Sequence, residues 1–233
     1  MEMMKKKTQR IVGGVIAILV TISMVGAGMF GYFYGGIPQT QRNSSLAPSA
    51  ADDYKNFKNR VDNLNQLVKT NPNDIGLQQD LGNAYYDLAL VAQQIAPNEV
   101  KEDYNQAIKN YQNVLKTKKD INVLTDMATA AFYGEQSDLA DKTFKEALAL
   151  QPDFEQALFN YGVFLSQVKQ DYPAAISMWQ KALDKNLTGT NAGRLKQIID
   201  QTKSIQEALK KPPTTSGTPS TSTPSTSTTP NAK

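Results

Sequence analysis

The 233-residue chain has no cysteine, no histidine and a single tryptophan, Trp179. Without cysteine there is no disulfide framework, and without cysteine or histidine there is no thiolate- or imidazole-ligated metal site. Ser-His and Cys-His nucleophile pairs are excluded on the same ground. No glycine-rich phosphate loop, supported carboxylate pair or metal-ligand cluster is present either. The adjacent acids Asp52-Asp53 and Glu102-Asp103 lie near expected helix starts, where they suit the positive end of the helix dipole. The basic run Lys116–Asp120, KTKKD, suits a helix end in the same way. An enzyme is therefore not expected, nor a cofactor. Charge of one sign is also scarce. The net charge is only +3, and residues 51–210 hold 18 basic against 21 acidic side chains. A mildly acidic body does not suit a phosphate-tracking surface, so no nucleic-acid partner is expected.

Long hydrophobic runs are absent except at the start. Ile11–Gly36 carries no charge over 26 residues, and roughly 20 apolar residues cross a bilayer as a helix. Lys5, Lys6, Lys7 and Arg10 precede it, and Phe30, Tyr32, Phe33 and Tyr34 crowd its far end. Basic flanks stay cytoplasmic, and aromatic rings favour the interface. These features predict a single-pass signal anchor over 11–35, a cytoplasmic segment 1–10 and an extracytoplasmic body at the cell membrane. A cleaved signal peptide ending at Val25-Gly26-Ala27 is the alternative, but the apolar run continues well past that site. Gly31 and Gly35 match the G-x-x-x-G spacing that lets membrane helices pair, which raises a homodimer. Residues 36–51 read as a flexible linker. Residues 212–233, almost wholly Pro, Ser and Thr, read as a disordered tail. Asn43-Ser44-Ser45 and Asn186-Leu187-Thr188 match the glycosylation sequon.

The middle of the chain, 52–211, shows helical periodicity and almost no strand alternation. Ala107, Ala140 and Ala175 recur at spacings of 33 and 35 residues, each followed four residues later by Tyr111, Phe144 or Trp179. A second series, Gly82, Ala128 and Gly162, recurs at 46 and 34 behind Leu81, Met127 and Tyr161. Pro72 and Pro152 each lie twelve residues after an aligned helical position, Arg60 and Ala140. A period near 34 with small residues where two helices cross resembles the tetratricopeptide repeat, in a membrane-anchored bacterial form. The matching pieces are LGNAY with AIKNY, MATAA with ADKTF and its proline, and YGVFL with AISMW. No tryptophan opens a repeat: Gln78, Leu124 and Leu158 hold those places. The first repeat carries about twelve extra residues in Leu88–Asp103, read as a lengthened first helix, a turn at Ala96-Pro97-Asn98 and an extended second helix. The third carries one extra residue, placed near Asp171-Tyr172-Pro173.

The resemblance implies an all-α solenoid of about three helical hairpins, 75–120, 121–154 and 155–188, capped by helices at 52–70 and 191–211. It also implies that the first helix of each repeat lines a concave groove. Helical phase then selects Gln79, Asn83, Tyr86 and Asp87, then Thr125, Thr129, Phe132 and Tyr133, then Gln156, Phe159, Val163 and Gln167. A subclass of the family clamps a terminal carboxylate with Lys and Asn. Asn83 matches one such position, but the lysines are missing. A lining rich in amides and aromatics, charged only at Asp87, suits an extended peptide or a partner helix. The expected role is an anchored protein-interaction scaffold in secretion, envelope assembly or cytochrome maturation. The alternative is a self-associating structural spacer.

Overall fold

Two short acidic caps set the register of the chain. Asp74 accepts a hydrogen bond from the Leu77 amide at 3.0 Å, and Asp120 accepts from the amides of Asn122 and Val123 at 2.9 and 3.4 Å. Each satisfies backbone donors that a helix start leaves without partners. In the computed structural model, which describes residues 50–184 and 190–210, these caps open two of eight helices. They are α1 (Ala50–Thr70), α2 (Ile75–Ile95), α3 (Val100–Leu115), α4 (Ile121–Tyr133), α5 (Ser137–Leu150), α6 (Glu155–Phe164), α7 (Tyr172–Asp184) and α8 (Thr190–Lys210). There is no strand among the described residues.

Successive helices pack on one another as hairpins, α2 with α3, α4 with α5 and α6 with α7; α1 lies on α2, α8 on α7, and α4 touches α6 directly. Two glycines sit where hairpin helices cross most closely. A Cβ on Gly82 would meet Tyr111 Cε1 at 2.8 Å, and one on Gly162 would meet Trp179 Nε1 at 2.3 Å. Trp179 is fully buried, and its indole donates to the Phe159 carbonyl at 3.1 Å. Around these crossings one continuous core runs from Tyr86 through Tyr104, Tyr111, Phe144 and Phe164 to Leu195 and Ile199. A single hairpin could not bury these faces; neighbours close them for each other.

The extra residues of the first hairpin extend α2 to 21 residues, against 13 in α4. The third hairpin differs from its expectation. Its extra residue is absorbed before Asp171, in a π turn over Leu165–Lys169 that ends on Gln170 at φ 53°. One residue inserted into an α-helix widens a turn in this way. α1 begins at Ala50 and α8 at Thr190, within two residues of the expected caps.

No described helix is long and apolar enough to cross a membrane. The segments at 1–10, 11–35 and 36–49, the pairing glycines Gly31 and Gly35, both sequons and the tail at 212–233 lie outside the described residues.

Candidate functional site

A row of polar side chains stands on the first helices of all three hairpins, bonded within the first hairpin and between the second and third. On α2, Gln79, Asn83 and Asp87 are partly exposed along one face. Arg60 of α1 donates to Asp87 Oδ2 at 3.1 Å. The Tyr111 hydroxyl of α3 donates to Asn83 Oδ1 at 2.9 Å. Gln156 of α6 donates to Asp126 Oδ1 of α4 at 3.3 Å, and Asn160 donates to Thr129 Oγ1 at 3.1 Å. Burial pushes the Tyr111 hydroxyl well above its ordinary range, and the charges of Asp126 and Asp87 add to the shift. The two carboxylates, one on α2 and one on α4, both raise this one hydroxyl. Burial also raises the Asp87 carboxyl, with Arg60 opposing.

At its α1 end the row meets a cleft of about 430 Å³ lined by Asn56, Asn59, Arg60, Asn63, Leu64, Leu67 and Asp80. Beside the row runs a chain of aromatic rings. Tyr86 meets Tyr104 edge-on at 5.6 Å, Tyr104 stacks on Tyr133 at 5.9 Å, and Tyr133 on Phe132 at 4.6 Å. Phe132 then meets Phe164 edge-on at 5.7 Å. Phe132 and Tyr133 keep partial exposure, so the chain reaches the surface at the end of α4. Burial pushes the Tyr133 hydroxyl up to about 12. Amides, carboxylates and ring faces of this kind bind by hydrogen bonding and stacking. Among the described residues no carboxylate cluster could hold a metal ion.

The expected lining divides in two. Gln79, Asn83, Asp87, Phe132, Tyr133, Gln156 and Gln167 are partly exposed. Tyr86, Thr125, Thr129, Phe159 and Val163 are buried and do not line an open surface. The Thr125 and Thr129 hydroxyls turn back onto the carbonyls of Ile121 and Thr125, at 2.8 and 2.7 Å. Tyr86 is held by the Tyr104 ring, and Phe159 and Val163 belong to the core that closes round Trp179. On α4 the partly or fully exposed positions are Ile121, Asn122, Asp126, Phe132 and Tyr133, so the exposed stripe passes through Asp126 and not through Thr125 and Thr129. Asp126, the only charge of α4, was missed for that reason, and the lining is more acidic than expected. Arg60, Asp80 and Tyr111 were missed because they come from outside the face chosen by phase, or from another helix.

The fold that these hairpins define is a tetratricopeptide-type helical solenoid. No protein-family model matches the chain. It is 25% identical over 172 residues to the human protein O-mannosyl-transferase TMTC3, covering 70% of this chain but 18% of that protein. The chain thus spans less than a fifth of its curated relative. Among solved structures, the MamA protein superposes with a TM-score of 0.51 at 17% identity, over 69% of this chain and 85% of that one. Yeast Tom70 gives 0.44 at 17% identity, over 70% and 40%.

Proposed function

We propose that this protein is a membrane-anchored, extracytoplasmic interaction scaffold. It holds a peptide segment or helix of a partner protein against the face built by α2, α4 and α6. The observation that carries this reading is the set of polar side chains at Asn83, Asp126 and Gln156 together with the partly exposed rings of Phe132 and Tyr133. Such a surface offers both donors and acceptors to a peptide backbone and ring faces to its side chains. The role is a non-catalytic one, in secretion, envelope assembly or cytochrome maturation. The uncharged run Ile11–Gly36 behind four basic residues supports the anchor and its orientation.

A photo-activated cross-linker placed at Gln79 or Gln167 in the native membrane should capture a protein, and one at Lys142 on α5 should not. Equal capture from both faces, or none from the first, would sink the reading. A protease added outside intact cells should remove the domain; full protection would overturn the orientation.

The spacer alternative needs self-association. Apart from Leu67 and Leu209, the exposed positions of α1 (Lys55, Asn59, Asp62, Gln66) and α8 (Lys196, Gln197, Asp200, Lys203) are mostly polar, which disfavours end-to-end stacking of copies.

A further inference from the structure

Asp103, on the first turns of α3, is only 8% exposed, and its Oδ2 is buried without a hydrogen-bond partner. One turn earlier on the same face, Glu99 ties the start of α3 to α1. The Tyr54 hydroxyl donates to Glu99 Oε2 at 2.6 Å, and the Lys58 ammonium donates to that oxygen at 3.2 Å and to the Tyr54 hydroxyl at 3.1 Å. Three groups satisfy one another, and the deeper carboxyl is left out. A buried carboxylate without a donor is costly, whereas the protonated acid carries no charge to desolvate.

We propose that Asp103 is a proton-controlled latch on the docking of α1. Protonated, it leaves Lys58 on Glu99 and α1 closed against α3. Ionised, it competes with Glu99 for Lys58 and loosens the amino-terminal half of α1.

The groups facing Asp103 are few. Glu99 and Glu102 share its helix, and Lys58 is the cation of α1 that acts on it. The last ionisable residue of α2 is Asp87, more than two turns short of its end. Glu135, in the turn after α4, is engaged by Lys101 at 3.0 Å, and Tyr133 of α4 bears on the neighbouring Tyr104. Burial pushes the Asp103 carboxyl up to about 6; Glu99 adds to this, Lys58 opposes it and Glu102 adds further. The folded chain therefore holds a proton that the unfolded chain, titrating near 3.8, has already lost. Stability from this group is present below about 4 and fades as pH rises through 6. Glu99 works the other way, because the Tyr54 and Lys58 hydrogen bonds lower it, so its contribution is lost on further acidification. The latch operates between these limits.

The test uses the full chain. Carbon NMR of the Asp103 carboxyl should titrate near pH 6. Amide-exchange protection across residues 51–60, corrected for intrinsic rate, should rise from pH 7.5 to 5. In Asp103→Asn that protection should be insensitive to pH. At pH 7.5 the variant's folding constant should exceed the wild type's by up to roughly a hundredfold. Titration near 4, or the same pH slope in both proteins, would overturn the latch. Should Asp103→Asn fail to fold, Lys58→Met decides: the Asp103 titration moves to higher pH if Lys58 faces it, and an unmoved titration refutes the proposal.

Discussion

The first and third hairpins solve one packing problem with opposite consequences. Each sets a glycine of its first helix beneath an aromatic of its second, Gly82 under Tyr111 and Gly162 under Trp179. Tyr111 carries a hydroxyl through the crossing and hands it to Asn83, on the polar row. Trp179 turns its only polar atom inward, onto the Phe159 carbonyl. The first hairpin thus links its core to its polar row, and the third closes its core on itself. The surplus residues follow the same division: α2 grows longer where the face is polar, and a π turn absorbs one residue where the interior is sealed.

The largest test of this contrast is Gly162→Ala. The new Cβ would lie 2.3 to 2.7 Å from three indole atoms of a fully buried ring, and the ring cannot retreat without losing its hydrogen bond. Chemical denaturation should show a loss of about 3 kcal/mol. Gly82→Ala should cost less, about 1–2 kcal/mol, because its contacts of 2.8 and 2.9 Å are with the edge of a ring whose hydroxyl end faces the row. Equal losses would break the comparison.

Next in size is Asn83→Ala. It deprives the Tyr111 hydroxyl of its acceptor, and about 1–2 kcal/mol of stability should go with it. The smallest effect concerns neither crossing. Glu135 ends α4 at φ 62°, with the next amide, that of Gln136, bonding back to the Ala131 carbonyl at 2.8 Å. Glu135→Gly removes a left-handed non-glycine residue, and the exposed Lys101 pair it gives up is worth little. The melting temperature should rise by an amount equivalent to under about 1 kcal/mol.

The crossings were legible in the sequence because a small residue, Gly82, Ala128 or Gly162, recurs ahead of a large one, Tyr111, Phe144 or Trp179, in each hairpin. The aromatic partners were legible for the same reason. The binding face was less so. Helical phase alone made Thr125 and Thr129 look outward, yet both are fully buried, while Asp126 beside them joins the row. Which stripe of α4 stays open is set by how α4 meets α6, which no local pattern records. Arg60 and Tyr111 enter the row from 27 and 28 residues away in sequence, beyond the reach of periodicity. The extra residue of the third hairpin was placed too late because Pro173 and Asp171 read as a loop insertion, whereas the helix itself widened over Leu165–Lys169.

The polar outer flanks of α1 and α8 set a number. An array whose last helices present lysine, aspartate and amides to water offers no template for a further hairpin, its own or a neighbour's. Among the described residues, α2, α4 and α6 present three hairpins to anything laid along them.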